Sequence, residues 1–454
     1  MRILFIVPGF VTFLVTCLLA RVLYLVPPPS LWYSLFPAVL GILSLMAVRR
    51  RLGWGWALGE LAVAAAVALL MTFVVWPGGT VPADDGENGL VDVTLRIQPS
   101  FPVEGDQLAR TLRAIPGLRI SVYAAGLEGP RMLAFSPAGD LYVSIPRAGK
   151  VLVLPDRNRD GAADSLTVFV DGLDLPHGLA FARSDLVVAE NSRLLRLPDR
   201  DGNLRADRVE VLSDDLPAGG GHWTRSVAIE PNGDFFVSAG SSCNACLEKD
   251  PRRAAILRIP RVGGQAEIYA TGLRNSVGLA FHPTTQELWA SNNGRDMLGD
   301  DLPPEEINRI VKGGDYGWPY CYGQRIPDPD FGNPERCRDT MLPEVEMQAH
   351  SAPLGIAFGH NLAFPDPYRN MLFVAFHGSW NRTVPTGYKL VGIPFAAGRP
   401  IGSPQDIVSG WLQGRRAWGR PVDPAVGPDG ALYLSDDRAG IIYRITIENA
   451  AVEP

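Results

Sequence analysis

The chain is short of positive charge and contains no low-complexity tract. Its 42 lysines and arginines are outnumbered by 48 aspartates and glutamates among 454 residues, for a net charge of −6. A chain without a basic surface is a poor binder of nucleic acid, so we expect no nucleic-acid partner. A content of 46% hydrophobic and 20% charged residues is typical of a globular protein.

Cysteine is also scarce, and its spacing argues against haem and zinc. Apart from Cys17, the cysteines form an even set: Cys243, Cys246, Cys321 and Cys337. The CNAC segment is followed by Leu247 rather than histidine, so it is not a haem c attachment site. A zinc site would need reduced thiols, whereas an oxidising compartment favours two disulfides. We expect pairing between sequence neighbours, Cys243 with Cys246 and Cys321 with Cys337, although spacing alone does not determine the connectivity.

Long hydrophobic runs occur only near the N-terminus. Residues 3–26, 32–48 and 54–76 are apolar over about 17–24 positions each, near the length of a membrane-spanning helix. Three arginines at 49–51 place the second loop in the cytoplasm by the positive-inside rule. The sequence therefore predicts three transmembrane helices within 1–76, in the inner (cytoplasmic) membrane. A linker at 77–92 and a periplasmic domain at 93–454 would follow.

The first apolar run has an alternative explanation as a cleaved signal peptide. It lacks a small-x-small cleavage site, and two further apolar runs would still need a bilayer. We therefore expect a multi-pass membrane protein.

A short pattern recurs six times beyond the linker: an apolar strand, a Gly-Asp type of turn, and a strand of alternating aromatic and β-branched residues. The copies begin at Met132, Gly178, Ser226, Val277, Leu354 and Val422. A period of about 40–50 residues with hairpin turns is typical of a propeller in which each repeat is one four-stranded blade. We predict an all-β, six-bladed β-propeller. The last two intervals are longer and indicate insertions.

Acidic loops recur as well, at 156–161, 199–203 and 300–301. The first two resemble the start of a calcium loop but lack the glutamate that completes an EF-hand. Aspartate and glycine between two strands are also good turn residues, which is the simpler explanation.

Arginines precede several of the repeated strands. Arg131, Arg225, Arg274 and Arg420 occupy this position, which a propeller directs toward its central axis. Converging cations are costly without an anionic partner, so the pattern favours a polyanionic ligand. Pairing with acidic residues at the rim is the alternative. His222 follows three glycines that allow close backbone approach, and it is the strongest candidate among six histidines.

These motifs resemble those of the soluble quinoprotein sugar dehydrogenases, a group that includes glucose dehydrogenase, and in particular the sorbosone dehydrogenase-like branch. The likeness extends from about Ile120 to Ile445. It rests on five segments: His222-Trp-Thr-Arg225, Gly272-Leu-Arg274-Asn275, Glu306-Ile-Asn308, His377-Gly-Ser-Trp380-Asn381-Arg382 and Gly419-Arg420-Pro.

The resemblance implies a propeller that binds pyrroloquinoline quinone (PQQ) in its central funnel, with Ca²⁺ on the quinone. His222 matches the general base that takes a proton from a sugar hydroxyl while hydride passes to PQQ. Arg274 and Asn275 match the pair that holds the cofactor. The backbone carbonyls of Gly294 and Arg295 match the calcium-ligating turn, which has one extra residue before it here. Arg382 and Arg420 fall near the positions of further cationic cofactor ligands. Arg131 and Arg225, which precede repeated strands, would complete a ring of arginines that suits the three carboxylates of PQQ.

We therefore expect a membrane-anchored quinoprotein oxidoreductase that oxidises a sugar, alcohol or aldehyde. Its electrons would pass to ubiquinone or to a periplasmic acceptor. The soluble sugar dehydrogenases lack an N-terminal membrane section, which is a departure. Two other classes stay open. A calcium-dependent lactone hydrolase would need carboxylates around a central metal, and a non-catalytic binding module would be indifferent to His222→Ala.

Overall fold

The computed structural model describes residues 89–97 and 110–447. The chain divides into two compact units, Met1–Ala83 and Asp84–Pro454. All of the described residues belong to the second unit, which is built almost entirely of short strands.

The predicted inner-membrane location is wrong for the part of the chain that the structure describes. Across residues 89–97 and 110–447, no helix is long and apolar enough to cross a bilayer. The one α-helix found there, α1 (Pro334–Cys337), has four residues, where a spanning helix needs about 20. Hydrophobic residues in this part lie instead on strands of two to eight residues. The runs at 3–26, 32–48 and 54–76, on which the prediction rested, lie outside the described residues.

The first four strands complete sheets that are otherwise formed by the C-terminal part of the chain. They are β1 (Val91–Thr94), β2 (Arg96–Ile97), β3 (Thr111–Ala114) and β4 (Leu118–Ala124).

Four sheets, which we number 1 to 4, are each made of four antiparallel strands. Sheet 1 contains β5 (Leu133–Phe135), β6 (Leu141–Ile145), β7 (Lys150–Leu154) and β8 (Thr167–Val170). Sheet 2 contains β9 (Gly178–Ala182), β10 (Asp185–Ala189), β11 (Leu194–Leu197) and β12 (Glu210–Ser213). Sheet 3 contains β13 (Val227–Ile229), β14 (Phe235–Ala239), β15 (Ala255–Ile259) and β16 (Glu267–Ala270). Sheet 4 contains β17 (Leu279–Phe281), β18 (Leu288–Asn292), β19 (Glu305–Ile310) and β22 (Val345–Met347), with the small hairpin β20 (Cys321–Tyr322) and β21 (Ile326–Pro327) in an insertion.

Sheets 5 and 6 combine C-terminal and N-terminal strands. Sheet 5 contains β23 (Pro353–Phe358), β24 (Met371–Phe376), β25 (Lys389–Ala396) and β27 (Gln405–Ser409), extended by β3 and β1, with β26 (Arg399–Pro400) beside β25. Sheet 6 contains β30 (Pro421–Val426), β31 (Leu432–Asp436), β32 (Ile441–Ile447), β4 and β2. A hairpin of β28 (Leu412–Gln413) and β29 (Arg416–Ala417) lies between them, and 3₁₀ turns occur at Pro146–Ala148 and Tyr368–Asn370.

The first strands of these sheets contact one another in cyclic order. The sequence of contacts is β5, β9, β13, β17, β23, β30 and back to β5. Hydrogen bonds tie neighbouring sheets together: Ser291 Oγ donates to the Leu354 carbonyl at 2.7 Å, and the Leu133 N–H donates to Asp423 at 2.8 Å. Short antiparallel sheets arranged radially are the architecture of a β-propeller, so the predicted all-β propeller is confirmed.

The core lies between the sheets. All five residues of β6 are buried. Leu141 and Val143 pack against residues of sheet 6, whereas Tyr142, pointing the other way, packs with residues of sheet 2. Alternate side chains of a strand point to opposite faces, so a sheet covered on both sides needs apolar residues at every position. This explains the continuous aromatic and β-branched strands of the repeats.

Strand direction determines which loops meet. Because neighbouring strands within each sheet are antiparallel, the loops after the second and fourth strands leave at the same end, which we call the site end. Every predicted site residue lies in or beside one of these loops. The acidic loops that begin at Asp156 and Asp199 follow third strands and lie at the opposite end. There the two aspartates accept hydrogen bonds from the backbone of Gly161 and Gly202, as turn residues do.

Candidate active site at one end of the propeller

His222 is held as a neutral imidazole. Its Nδ1 lies 2.9 Å from both the carbonyl oxygen and Oγ of Ser241. The Ser241 hydroxyl donates its proton to the Cys243 carbonyl at 2.6 Å. Since a carbonyl oxygen can only accept, Nδ1 carries the proton and Nε2 is the free acceptor. Burial, followed by the charge of Arg274, lowers the pKa of His222 to about 4. At neutral pH, His222 can therefore accept a proton at Nε2.

Asn275 lies directly beside His222. A Cβ added to Gly240 would meet Asn275 Oδ1 at 2.6 Å and the His222 Cβ at 2.6 Å, so only glycine lets the two side chains approach there. Asn275 Oδ1 is buried and has no hydrogen-bond partner among the described residues. Buried polar atoms are nearly always satisfied, so an amide oxygen without a partner, next to the His222 side chain, indicates a ligand position.

The Arg274 guanidinium forms its hydrogen bonds with other residues of the protein, so it is not free to bind a ligand. Its guanidinium donates to the Asn244 carbonyl and side chain at 2.9 and 2.8 Å, to the Gly294 carbonyl at 2.6 Å and to Asp296 at 2.9 Å. It thus joins two loops of the site end and fixes the residue that precedes Asn275. The sequence placed Arg274 correctly at this end but could not reveal these partners.

Arg225 and Arg382 have internal partners too. Arg225 is fully buried and donates to the carbonyls of His222 at 3.1 Å and Thr224 at 2.7 Å. Burial lowers the pKa of Arg225 to about 9. Arg382 donates to the Asp300 carbonyl at 2.7 Å. Arg225 therefore braces the segment that carries His222, and Arg382 fastens its own loop.

A second cluster brings together residues from four loops. Asp437 accepts a hydrogen bond from Arg131 at 2.7 Å and one from His377 Nε2 at 2.9 Å. Arg420 donates to the backbone carbonyls of His377 and Gly378 at 2.9 and 2.8 Å. Burial alone would raise the pKa of Asp437, but the hydrogen bond from His377 and the charge of Arg131 lower it below its usual range. Burial also lowers the pKa of His377 to about 4, so the pair is a carboxylate and a neutral imidazole.

Sequence reasoning missed Asp437 and its pairing with His377. The two residues are 60 positions apart, and nothing local links them. The available signal was an aspartate directly after a second strand, at the same end as the predicted arginines.

The predicted metal turn does not present the Gly294 carbonyl freely. The Gly294 carbonyl accepts the Arg274 guanidinium at 2.6 Å, and its N–H donates to buried Glu305 at 2.8 Å. The Arg295 side chain forms an ion pair with Asp328, in which Nη1 lies 2.7 and 2.8 Å from the two carboxylate oxygens. A cation bound to Gly294 would therefore lie next to a guanidinium in this arrangement, which opposes binding.

Both disulfides pair sequence neighbours, Cys243 with Cys246 and Cys321 with Cys337. The pairing considered from the sequence is thus confirmed. The first bridge closes the short loop that contains Asn244, whose side chain holds Arg274 and the Asp296 N–H at 2.7 Å.

The double variant C243S/C246S should lose about 2 kcal/mol of unfolding free energy, as expected for a loop this short, and about tenfold or more of any sugar-oxidising activity, because Asn244 no longer positions Arg274. Urea unfolding and steady-state kinetics measure the two effects. C321S/C337S is the control: its longer loop predicts a loss of about 3 kcal/mol but a smaller loss of activity while folded. Equal activity losses in the two variants would contradict this role for Asn244.

Known sugar dehydrogenases match most of this chain. A PQQ-dependent pyranose dehydrogenase from Coprinopsis cinerea is 25% identical over 402 residues, covering 72% of this chain and 54% of that protein. The chain thus spans about half the length of that relative. A PQQ-dependent sugar dehydrogenase from Hypocrea jecorina is 27% identical over 399 residues, covering 73% of this chain and 88% of that protein. The predicted resemblance is confirmed.

The fold has solved counterparts. The holo form of the PQQ domain of the Coprinopsis cinerea pyranose dehydrogenase superposes with a TM-score of 0.65 at 21% identity, covering 77% of this chain and 100% of that domain. At this identity the likeness shows the fold alone. A family model described as TrAA12-like matches residues 112–448. Since that match includes most of the chain, the protein belongs to the TrAA12-like family.

Proposed function

We propose that this protein is a dehydrogenase that uses PQQ and Ca²⁺ to oxidise a hydroxyl group of a sugar, with His222 as the general base. The chain is an oxidoreductase, as its relatives are. The observation that carries the assignment of the base is the state of His222: the imidazole is neutral, its Nδ1–H is donated to the Ser241 carbonyl, and its side chain lies next to Asn275.

We also propose that sheets 1 to 6 are the six blades of one propeller. The cyclic contacts of their first strands support this number. The pairing of β32 with β4 supports it as well, because it builds the last sheet from both ends of the domain.

The residues of the site end fit an anionic quinone. Arg131 Nε is a buried donor without a hydrogen-bond partner in the described part of the chain, which suits a ligand carboxylate, and Asn275 Oδ1 is a buried acceptor without one, which suits an N–H or O–H of the ligand. Arg131 and Arg420 supply two positive charges near one carboxylate, Asp437. The carboxylates of PQQ would offset this surplus, and guanidinium groups suit carboxylates. When bound, PQQ would supply the hydride acceptor that the side chains lack.

In this proposal His222, Ser241 and Arg274 each have a specific role. His222 accepts the proton of the sugar hydroxyl at Nε2, while the Ser241 carbonyl holds Nδ1–H and fixes the ring. An anionic ligand nearby would raise the pKa of His222 from about 4 toward the operating pH, which makes it a stronger base. Arg274 acts as a positioning residue, since it fastens the backbone beside Asn275 to the Asn244 loop.

Calcium can bind at the carbonyls of Gly294 and Arg295 only after a hydrogen bond of the present structure is broken. The guanidinium of Arg274 has to release the Gly294 carbonyl before that oxygen can coordinate a cation. The position of Ca²⁺ and the electron acceptor, ubiquinone or a periplasmic protein, remain predictions.

The proposal is tested by dye-linked oxidation assays on the full-length chain. PQQ and Ca²⁺ are added to purified protein, and reduction of an artificial acceptor is followed with a panel of aldoses. We expect reduction that requires sugar, PQQ and Ca²⁺ together. Absence of reduction with every aldose, in protein that is folded by circular dichroism, would rule out the proposed activity.

A further inference from the structure

Trp380 is exposed in a way that no other aromatic residue of the described chain matches. Its side chain is 68% accessible to solvent, whereas every other described tryptophan, tyrosine and phenylalanine is buried or half-buried. Exposing an indole to water costs free energy that burial would recover. A single aromatic ring left in solvent at the site end is therefore a candidate contact surface.

The exposure of Trp380 does not come from a loosely held loop. On one side, the Ser379 N–H donates to the Thr386 carbonyl at 2.9 Å, and the Ser379 carbonyl accepts a hydrogen bond from the Tyr388 hydroxyl. On the other side, Asn381 Nδ2 donates to Asp296 at 3.2 Å. The ring is thus presented from a backbone that is fixed before and after it.

The loop that carries Trp380 joins the two clusters of the site end. It begins at His377, which is paired with Asp437. It continues to Asn381, whose partner Asp296 also binds Arg274, the residue before Asn275. The indole therefore belongs to the loop that connects the groups that the proposed function assigns to proton transfer and cofactor binding.

The two segments that the Asn381–Asp296 hydrogen bond joins carry further exposed apolar side chains at the rim of the site end. Met297, which follows Asp296, is 58% exposed, and Val384 on the Trp380 loop is also exposed. Asp296 connects this rim to the polar groups of the site, because it also binds Arg274, the residue before Asn275, and Asn275 lies next to His222. A ligand that contacts both the apolar rim and the polar groups of His222 and Asn275 needs a flat apolar face and a polar edge. A pyranose ring has both, because its axial C–H groups form an apolar face and its hydroxyls form the edge.

We propose that Trp380 is the platform on which the pyranose ring of the substrate stacks. This inference rests on the proposed sugar oxidation and names the part of the chain that selects a cyclic sugar. An uncharged aromatic surface adds orientation without adding charge near His222. The ring form would be preferred over an open-chain polyol, which has no flat face.

Kinetics with a matched control test the platform. In the protein loaded with PQQ and Ca²⁺, W380A should raise the KM for an oxidised aldose about tenfold and change kcat by less than about threefold, since stacking holds substrate before the chemical step. W380F should recover part of the loss, because it keeps an aromatic face. V262A is the control, since Val262 is 82% exposed but follows a third strand, at the opposite end. An unchanged KM in W380A, in a preparation whose wild type is active, overturns the proposal.

A second measurement does not depend on turnover. Tryptophan fluorescence of the chain without PQQ is titrated with D-glucose and, in parallel, with sorbitol. We expect saturable quenching by D-glucose, weaker quenching by sorbitol, and loss of the D-glucose signal in W380F. If no sugar is oxidised but this signal is present, the platform stands and the proposed dehydrogenase activity fails. If W380A instead changes the oligomeric state by size-exclusion chromatography and leaves the quenching unchanged, the indole belongs to an interface and the proposal is overturned.

Discussion

Replacing His222 with alanine should lower kcat for sugar oxidation by about 10²–10⁴-fold, the usual contribution of a general base. The loss follows because Nδ1 of His222 donates to the Ser241 carbonyl, which leaves Nε2 to accept the proton, and because no other histidine side chain is found next to Asn275 among the described residues. Steady-state kinetics with PQQ and Ca²⁺ at saturation measure the effect. His360→Ala is the control, because His360 is exposed in a loop after a first strand, at the opposite end.

The pH dependence gives an independent test of the same residue. Burial and Arg274 lower the pKa of His222 from 6.5 to about 4, so the imidazole stays neutral well below pH 6.5. The rate should therefore fall on the acidic side only as the pH drops below the ordinary histidine value. A bound anion raises the pKa of His222 and so shifts this acidic limb to higher pH, but His222 is still the group that titrates. If H222A keeps activity within about threefold of wild type, or shows the same acidic limb, another group is the base.

Replacing Arg274 with leucine should cost about 3–5 kcal/mol of unfolding free energy, even without any cofactor. The substitution removes the donor to the Gly294 and Asn244 carbonyls and leaves the partly buried Asp296 carboxylate without its guanidinium. Leucine cannot satisfy these acceptors. Urea unfolding of the cofactor-free chain measures the loss.

Arg258→Leu is the matched control for Arg274. Arg258 also pairs with aspartate, through Asp234, but its side chain is partly exposed. Exposed ion pairs contribute about 0–1 kcal/mol, so this variant should unfold almost as wild type does. NMR titration provides a second readout. Because Arg274 lowers the pKa of His222, R274L should raise it toward 6.5. Similar stability losses in the two variants, with no change at His222, would contradict the structural role of Arg274.

The local part of the fold was predictable from the sequence. Each of the six repeated segments begins within two residues of the first strand of a sheet, for example Gly178 at the start of β9 and Ser226 directly before β13. Hairpins are formed by neighbouring residues, so turn residues and alternation are enough to locate them. The pairing of β4 with β32 was not predictable, because it joins residues such as Ile120 and Ile445 that share no local signal.

The candidate site was predictable in its position but not in its contacts. The repeats place Arg131, Arg274 and Arg420 at one end, as the structure does. Their partners are mostly backbone carbonyls on loops from other sheets, and a carbonyl has no signature in sequence. For this reason, a convergence of free cations was expected where Arg274 forms an internal clamp. The inner-membrane prediction was wrong for the described residues, which form short strands and contain no helix long enough to span a bilayer, and the apolar runs on which it depended lie outside those residues.

Equilibrium binding of PQQ to the full-length chain tests the central claim most directly. Calorimetric titration in the presence of Ca²⁺ needs neither a substrate nor an electron acceptor. We predict saturable binding of one PQQ per chain, weakened at least about tenfold in Arg131→Met, because an arginine–carboxylate pair is strong and directional, and unchanged in Arg258→Leu. Absence of saturable binding to folded wild-type protein would contradict the assignment of the site end as a quinone site.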